Sequence, residues 1–237
     1  MKTAVVIGAS SGIGRALAVA LSADGYRIGA VARRTDLLLK LQSELAGPCV
    51  IKTIDVSQLE LAQPLLREMI RDLGDVDLFI VNAGTGFVND SLAWQPESDT
   101  IGVNVLGFTG MVNVAVAHLE SRRSGHLVGV SSLAGLRGSR AAPAYAASKA
   151  YVSNYLQGMR HRFAKLSLRI FVTDVQPGFV DTPMAGGNRF WISSPEKAAR
   201  QIVAAIRSHK KVVYITRRWR LIAWLMRIVP DSLYSKI

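Results

Sequence analysis

The stretch Thr3-Ala4-Val5-Val6-Ile7-Gly8-Ala9-Ser10-Ser11-Gly12-Ile13-Gly14 decides the fold of this chain. The apolar run Thr3–Gly8 predicts a buried strand, and the pattern over Gly12–Ala23 predicts a helix directly after it. Any turn can be rich in glycine, but glycines between a first strand and a first helix let a pyrophosphate approach the N–H groups at the helix start. We therefore predict a loop that binds a dinucleotide through Gly8, Ser10, Ser11, Gly12, Ile13 and Gly14.

Strand-like and helical patterns alternate along the rest of the sequence. The strand-like runs are continuously apolar, which is typical of a parallel sheet covered by helices on both faces. We predict one α/β domain with a doubly wound, mostly parallel, seven-stranded sheet of Rossmann type, whose ligand lies at the carboxyl ends of the strands. The strands are predicted at Thr3–Gly8, Arg27–Ala32, Val50–Ile54, Asp77–Asn82, His126–Val130, Leu168–Val175 and Lys211–Ile215. The helices are predicted at Gly12–Ala23, Asp36–Leu45, Gln58–Leu73, Pro96–Glu120, Ala142–Ala164 and Pro195–Arg207. Asp36 is predicted to cap the second of these helices, and Ser194, followed by Pro195 in the first turn, is predicted to cap the last.

The composition suits a single globular domain. With 237 residues, of which 49% are hydrophobic and 19% charged, the chain can bury a sizeable core. Its single cysteine, Cys49, forms no intrachain disulfide, and its four histidines show no metal-ligand spacing, so we predict no metal site. We expect no apolar run long enough to span a membrane and predict a cytoplasmic protein.

The net charge of +12 attracts polyanions such as nucleic acid, acidic lipid headgroups or phosphorylated small molecules. Much of the excess lies beyond Arg200. A nucleic-acid binder would carry a basic platform interleaved with aromatic residues, which the sequence lacks outside its C-terminal stretch. We therefore expect no nucleic-acid partner.

The second predicted strand ends at Ala32-Arg33-Arg34. Sheets that bind NAD tend to place an acid here, which holds the hydroxyls of the adenosine ribose. With alanine in that place no carboxylate repels a 2′-phosphate, and the guanidiniums of Arg33 and Arg34 can pair with one. We predict NADP(H) as the cofactor; the alternative is that the two arginines form a solvated basic loop.

A set of polar residues follows the fifth predicted strand: Ser131 and Ser132, then Tyr145 and Lys149 on one helix. A spacing of four residues puts the phenol and the ammonium on one helix face. A nearby cation favours the phenolate and draws the pKa of a tyrosine, ordinarily about 10, toward neutrality. Tyr145 can then act as a general acid toward a carbonyl or as a general base toward an alcohol. The alternatives are an ordinary amphipathic helix face and serines that simply end a strand, and either serine could be the one that polarises the substrate oxygen.

These motifs resemble the short-chain dehydrogenase/reductase family over residues 3–216. The resemblance rests on the Gly-xxx-Gly-x-Gly loop, on Asn82-Ala83-Gly84, and on Ser132, Tyr145 and Lys149. It implies an oxidoreductase that transfers a hydride between the nicotinamide cofactor and a carbonyl or alcohol substrate, and it implies dimers or tetramers. It favours Ser132 over Ser131 because Tyr145 stands thirteen residues beyond Ser132.

The resemblance also implies roles for further residues. Asn104 matches an asparagine that supports a water and proton relay to Lys149, and Lys149 would also reach the nicotinamide ribose. Asp55 and Val56 match the position that meets the adenine ring, and Asn82, Ala83 and Gly84 shape the sheet end beside the cofactor. The loop after the sixth strand would flank the nicotinamide and implies pro-S hydride transfer from the B face; its predicted contacts are Pro177, Gly178, Val180 and Thr182.

The last part of the chain is predicted to cover the site and extend the domain. The short segment 183–191 resembles a mobile lid, in which Met184, Phe190 and Trp191 form either an apolar wall for a lipophilic substrate or ordinary surface packing. We assign 1–216 to the catalytic domain and 217–237 to a basic, apolar helical extension of it. The apolar arc of this helix packs either on the chain's own core or a subunit partner, or in a lipid interface.

The alternative function is a regulatory protein that senses NADP(H) without chemistry. Such proteins usually lose the tyrosine or the lysine, and this chain keeps both Tyr145 and Lys149. The sequence therefore favours an enzyme.

Overall fold

The computed structural model describes residues 1–182, 191–216, 218–230 and 232. Met184 and Phe190 of the predicted apolar wall, and Arg217 at the start of the predicted extension, lie outside the described residues.

In the part of the chain that the structure describes, a single sheet of seven strands, all parallel, forms the centre of the fold, which confirms the predicted doubly wound sheet. The strands are β1 (Thr3–Ile7), β2 (Arg27–Ala32), β3 (Cys49–Thr53), β4 (Leu78–Val81), β5 (Ser124–Val130), β6 (Arg169–Pro177) and β7 (Val212–Ile215). Their order in the sheet is β3-β2-β1-β4-β5-β6-β7, so the chain winds outward from β1 and then crosses back to β4. This reversal opens a crevice between β1 and β4 at the carboxyl edge of the sheet, where such folds bind their ligands.

Helices cover both faces of the sheet, which explains why the strands are apolar throughout. The helices are α1 (Gly12–Ala23), α2 (Thr35–Glu44), α3 (Leu59–Leu73), α4 (Trp94–Ile101), α5 (Phe108–Arg122), α6 (Pro143–Lys165), α7 (Pro195–Arg207) and α8 (Trp219–Ile228). One face of the sheet packs against α1, α2 and α7 through residues such as Leu17, Leu38 and Ile202. The other face packs against α3, α5 and α6 through residues such as Met69, Met111 and Leu156.

Two predicted helix starts have different outcomes. The Ser194 side chain accepts a hydrogen bond from the Lys197 N–H (3.2 Å) and Pro195 occupies the first turn of α7, which confirms the predicted cap. The prediction that Asp36 caps α2 is wrong, because the helix already begins at Thr35 and Asp36 lies within its first turn. A carboxylate there still interacts favourably with the helix dipole.

The predicted helix Pro96–Glu120 is not a single α-helix. A π-helical turn, Gly102–Gly107, separates α4 from α5. Gly107 lies so close to the loop after β3 that a Cβ would be 2.8 Å from the Val56 carbonyl oxygen. The helix therefore passes against backbone at this point, and its wider turn carries Asn104 toward the site, in keeping with the frequent occurrence of π-turns at functional sites.

The same helical stretch corrects a second expectation. Trp94–Arg122 is long and apolar enough to cross a membrane by length and composition, although we expected no such run. Half of its apolar window is buried inside the fold, and α5 contributes Met111, Ala115 and Leu119 to the core. In this structure it serves as a core helix.

The C-terminal helix α8 packs on the domain through one face. Trp219 and Ala223 are buried against Leu133, Phe179 and Tyr214. Arg137 donates hydrogen bonds to the Met226 carbonyl (2.6 Å) and to the Val229 carbonyl at the C-terminal end of the helix, where a cation also complements the helix dipole. Of the two sequence alternatives, packing on the chain's own fold therefore holds for this face.

Candidate active site

A cleft of about 920 Å³ opens at the carboxyl edge of the sheet, across the crevice between β1 and β4. Gly14 and Asn104 lie behind its walls. The other predicted site residues line it: Gly8, Ser10, Ser11, Gly12, Ile13, Arg33, Arg34, Asp55, Val56, Asn82, Ala83, Gly84, Ser132, Tyr145, Lys149, Pro177, Gly178, Val180 and Thr182.

The glycine loop is held tightly against the neighbouring strand end. Gly8 has a φ of +91°, and its N–H donates to the Val31 carbonyl oxygen (2.8 Å). The Asn82 amide donates to the Gly8 carbonyl oxygen (3.0 Å). A Cβ on Gly14 would overlap that same carbonyl, so Gly14 serves the packing of helix on strand rather than the cleft. Gly12 and Ile13, at the start of α1, line the cleft, and the N-terminus of a helix favours the binding of an anion.

The two arginines after β2 differ in their surroundings. Arg34 donates hydrogen bonds from Nη2 to the hydroxyl oxygens of Ser10 and Ser11, both at 2.9 Å. Its guanidinium is therefore held over the glycine loop. Arg33 is mostly exposed, with Nη1 3.9 Å from a carboxylate oxygen of Asp55. Together they place two cations at the end of the cleft that the glycine loop forms.

Tyr145 and Lys149 lie on one side of α6, with the Lys149 Nζ 5.8 Å from the centre of the Tyr145 ring. Lys149 is only 5% exposed, and its ammonium donates to the Val130 carbonyl oxygen (3.0 Å). Burial lowers the pKa of Lys149 to about 8, and the negative charge of Asp174 partly opposes that shift. The lysine is thus a buried cation that can change its protonation state near neutral pH.

The two serines after β5 have different partners. Ser131 is buried, and its hydroxyl donates to an Asp174 carboxylate oxygen at 2.5 Å. The Ser132 oxygen accepts from the Ala134 N–H (3.1 Å) as the cap of a 3₁₀ turn, Leu133–Leu136. That bond uses the Ser132 oxygen as an acceptor, so the hydroxyl hydrogen remains available for donation toward the cleft. The geometry favours Ser132 as the serine that meets a substrate oxygen.

Asn104 acts on the site through its neighbours. Its side-chain oxygen accepts from the Thr85 N–H (2.8 Å), and its amide donates to the Thr85 carbonyl (2.7 Å) and to the Ser148 hydroxyl (3.0 Å). Ser148 in turn donates to the Tyr145 carbonyl oxygen (2.7 Å). Asn104 therefore ties the loop after β4 to the helix that carries Tyr145, and its role in a proton relay stays a prediction.

The loop after β6 closes the cleft from the opposite side. The Gly178 N–H donates to the Ile215 carbonyl (2.6 Å), and a Cβ on Gly178 would overlap the indole of Trp219. At the far end of the loop, Thr182 comes within 2.9 Å of where a Cβ on Gly12 would lie. The loop therefore runs from the base of α8 to the glycine loop, over the space between them.

Sequence reasoning missed several residues of the site, among them Gly86, Asp174 and Met226. Gly86 lies under the Tyr145 ring, where a Cβ would be 2.9 Å from Cε2 and closer still to Cδ2. Its signal was the second glycine in Gly84-Thr85-Gly86. Asp174 is fully buried and bonded to Ser131, and its sequence signal was the single acid in β6. Met226 of α8 lines the cleft and carried no sequence signal.

In the ranges that the structure describes, His, Cys, Asp and Glu side chains form no group of three that could hold a metal ion.

The fold and the cleft define a structural class: α/β proteins with a Rossmann-type sheet and a dinucleotide-type cleft that contains a tyrosine–lysine pair. The family model for the short chain dehydrogenase matches residues 2–192. The chain belongs to the short-chain dehydrogenase family and is an oxidoreductase of the hydride-transfer type.

Individual relatives agree with this assignment. An uncharacterized oxidoreductase of Myxococcus xanthus is 37% identical over 194 residues, which cover 80% of this chain and 76% of the relative. The structure is similar to an alcohol dehydrogenase from Thermococcus sibiricus complexed with 5-hydroxy-NADP, with a TM-score of 0.81, 24% identity and coverage of 90% of this chain and 95% of that one. It is also similar to a short chain dehydrogenase/reductase from Burkholderia phymatum in complex with NAD, with a TM-score of 0.85, 22% identity and coverage of 94% and 92%. At these identities the two structures share the fold, and between them they carry both types of nicotinamide cofactor.

Proposed function

We propose that this chain is an NADP(H)-dependent carbonyl reductase or alcohol dehydrogenase in which Tyr145 is the general acid and base. The observation that carries the proposal is the pairing of Tyr145 with the buried Lys149, 5.8 Å from ring centre to Nζ, in the wall of the dinucleotide cleft. A regulatory protein that only senses the cofactor usually lacks the tyrosine or the lysine, and this chain keeps both.

The residues of the cleft fit a dinucleotide. At Gly8 a Cβ would be 2.6 Å from the Ala83 nitrogen, and at Gly84 it would be 3.2 Å from the Lys149 Nζ, so side chains at these positions would crowd the cradle. The start of α1 supplies N–H donors for a pyrophosphate. Asp55 and Val56 would adjoin the adenine, and Pro177, Gly178, Val180 and Thr182 would flank the nicotinamide. The bound cofactor would supply or accept the hydride.

NADP(H) is proposed over NAD on the charges around Arg34. Its guanidinium is oriented by the hydroxyls of Ser10 and Ser11, and Ala32 puts no carboxylate at the strand end. A 2′-phosphate would meet a guanidinium that is already in place, and such charge-assisted hydrogen bonds are roughly twice as strong as neutral ones. The adjacent Arg33 adds a second positive charge, which Asp55 offsets in part.

The chain's own residues would move the proton. Ser132 would donate its hydroxyl hydrogen to the substrate oxygen, and Tyr145 would give its phenolic proton to that oxygen in reduction or take it from the alcohol in oxidation. The Lys149 ammonium would stabilise the phenolate that forms. The Asn104 bonds to Thr85 and Ser148 would hold the two walls of the site at a fixed separation.

A lipophilic carbonyl or alcohol is the proposed substrate. The cleft is also lined by apolar side chains that come from the loop after β4, the 3₁₀ turn after β5, the loop after β6 and α8: Phe87, Val88, Leu133, Phe179, Trp219 and Met226. Apolar walls with few polar groups are typical of sites that hold apolar ligands by burial. Trp191, the described member of the predicted apolar wall, contacts the Trp219 ring at 5.8 Å between centres.

The test is a panel of carbonyls and alcohols with turnover followed by NADPH absorbance, and with Tyr145→Phe as the variant. Turnover should fall by at least about a hundredfold, the range of general acid–base catalysis, while NADPH affinity is unchanged. Retained turnover would reject the role of Tyr145. A wild-type protein that binds NADPH but turns over no member of the panel would favour the sensing alternative.

The choice of cofactor is tested by fluorescence titration with NADPH and NADH. Wild-type protein should bind NADPH more tightly, and Arg34→Ala should remove about ten- to a hundredfold of that preference, the worth of hydrogen bonds to a charged group. Arg67→Ala is the matched control, since Arg67 is an exposed arginine on α3, away from the cleft. Equal binding of both cofactors by wild-type protein would overturn the proposal.

Three expectations remain predictions: a homo-oligomer, no nucleic-acid partner and a cytoplasmic location. Light scattering coupled to gel filtration measures the first, a gel-shift assay the second and fractionation the third.

A further inference from the structure

Helix α8 has two apolar faces, and the domain covers one of them. The inner face, formed by Trp219, Ile222, Ala223 and Met226, packs on the 3₁₀ turn and on Phe179 and Tyr214, and two of its members, Trp219 and Met226, also line the cleft. At about 100° per residue, a second set of large apolar residues falls on the opposite side of the helix. This set consists of Leu221, Trp224, Leu225 and Ile228.

The outer face is exposed to solvent. Leu221 is 72% exposed, Trp224 63%, Ile228 55% and Leu225 48%. Leucine, isoleucine and tryptophan gain nothing from such exposure, and a contiguous exposed apolar face marks an interaction surface. We call these four residues, with the arginines beside them, the α8 patch.

Arginines border the outer face on both sides. Arg220 and Arg227 lie along one edge, Arg218 lies near the other, and all three are exposed. Between positions 211 and 230 the sequence contains no Asp or Glu, so no carboxylate of this stretch offsets their charge. Arg218 also lies over the half-exposed Trp191 ring, 5.0 Å from its centre, which extends the patch toward the rim of the cleft.

We propose that the α8 patch docks the protein on an anionic lipid surface, which brings the cleft behind the same helix close to the interface. A helix with tryptophan and leucine on one face and arginines at its edges lies in the plane of a membrane interface and binds more strongly where the lipids are acidic. Arginine side chains reach up to headgroup phosphates while their stems cover apolar surface. The net charge of +12 acts in the same direction.

A second copy of the chain fits this patch less well. Two α8 helices in contact would bring six arginines together, because each outer face carries three. A helix of ten residues is also about 15 Å long and 10–12 Å wide. The area of one of its faces is therefore far less than the roughly 800 Å² that each partner buries in a stable interface. Lipid headgroups carry the complementary charge, and an interfacial helix has no such minimum area.

Docking would place on the membrane the helix that forms one wall of the cleft, because Trp219 and Met226 line the cleft from the inner face of α8. The docking itself does not depend on the proposed enzymatic function, and a binding measurement tests it separately.

The experiment is co-sedimentation of the full chain with vesicles of phosphatidylcholine alone or with about one-third phosphatidylglycerol. Wild-type protein should sediment with the anionic vesicles at least tenfold more strongly than with the neutral ones. The variant Leu221→Gln/Trp224→Gln/Leu225→Gln should lose at least tenfold of that binding, and Arg220→Gln/Arg227→Gln should lose most of the preference for anionic lipid. Thermal unfolding by circular dichroism shows that each variant is folded.

Matched controls lie on other helices. Leu39→Gln/Leu61→Gln removes two exposed leucines from α2 and α3, and Arg67→Gln/Arg71→Gln removes two exposed arginines from α3; both should bind vesicles like wild-type protein. The proposal is overturned if wild-type protein fails to sediment with anionic vesicles, or if the controls lose binding as much as the patch variants. It is also overturned if the apolar patch variant changes only the oligomeric state measured by light scattering.

Discussion

The ring of Tyr145 packs directly on the backbone of Gly86, where a Cβ would be 2.9 Å from Cε2 and closer still to Cδ2. The loop that contains Gly86 is anchored one residue earlier, by the two hydrogen bonds between Thr85 and Asn104. The orientation of the phenol is therefore set from outside its own helix. This relationship makes the loop after β4 part of the catalytic geometry.

Gly86→Ala should displace the Tyr145 ring, because the new methyl group occupies the space of the ring itself. We expect kcat to fall about a hundredfold while NADPH affinity changes little, since a displacement of about 1 Å costs that much in positioning. Stopped-flow or steady-state absorbance of NADPH measures the first, and fluorescence titration the second.

The matched control is Gly158→Ala on α6, the helix that carries Tyr145. A Cβ there meets nothing within 4 Å, and alanine is the better helix former by about 0.5–1 kcal/mol. Gly158→Ala should keep full activity and melt slightly higher. Full activity in Gly86→Ala would show that the ring tolerates the methyl group.

Ser131→Ala and Ser132→Ala should affect different properties: the first should lower the stability of the fold and the second should lower kcat. Removing the Ser131 hydroxyl takes a donor from the buried Asp174 carboxylate, so the free energy of unfolding should fall by about 1–3 kcal/mol. Removing the Ser132 hydroxyl should leave stability nearly unchanged and lower kcat by about 10²–10³, the loss measured when one donor to a reacting oxygen is deleted. Urea unfolding and turnover of the same two variants separate the effects. Loss of turnover in Ser131→Ala at unchanged stability would exchange the two roles.

Asp174 is a buried acid that influences the pKa of Lys149. Its negative charge raises that pKa, whereas burial lowers it. Its carboxylate accepts from Ser131, from Ser153 (2.5 Å) and from the Gln176 amide (2.7 Å). Asp174→Asn removes the charge, so the pKa of Lys149 should fall below about 8. The ammonium is the form that supports the phenolate. As the pH rises, the variant should therefore lose activity at a lower pH than wild-type protein does.

The pH dependence of kcat/KM with NADPH checks this shift, and Asp72→Asn, an exposed acid on α3, is the control. The basic limb of the profile should move to lower pH in Asp174→Asn and stay in place in Asp72→Asn. An unmoved limb in Asp174→Asn would mean that the carboxylate serves only to hold its three donors.

Most of the fold and much of the cleft could be predicted from local patterns in the sequence. Continuous apolar strands and a glycine loop of fixed spacing depend on neighbours a few residues away, so the parallel sheet and the residues around Gly8 could be predicted. Gly86 could not, because its role depends on a ring 59 positions later in the chain. The π-turn around Asn104 likewise follows from the approach of Gly107 to Val56, a contact between distant segments. Helix α8 showed its apolar arc in the sequence, but how that arc divides between the domain and the solvent depends on packing.

His126 provides a test of stability against pH that is independent of catalysis. The ring is buried, and its Nε2 lies 2.8 Å from the Thr173 hydroxyl oxygen. Thr173 itself donates to the Lys210 carbonyl (2.5 Å), so the ring nitrogen is the donor in this pair. Burial, reinforced by the charge of His209, lowers the pKa of His126 to about 4.

In the unfolded chain the pKa of a histidine is about 6.5, so between pH 6.5 and 4 the unfolded state binds a proton that the folded state does not. Stability should therefore fall as the pH is lowered through this window, by up to about 3 kcal/mol from this residue, and the loss should be complete below pH 4. His126→Gln should flatten that part of the profile in urea unfolding, because glutamine can donate to Thr173 without titrating. His161→Gln, an exposed histidine on α6, should keep the wild-type slope. The same slope in His126→Gln as in wild-type protein would assign the acid sensitivity to other groups.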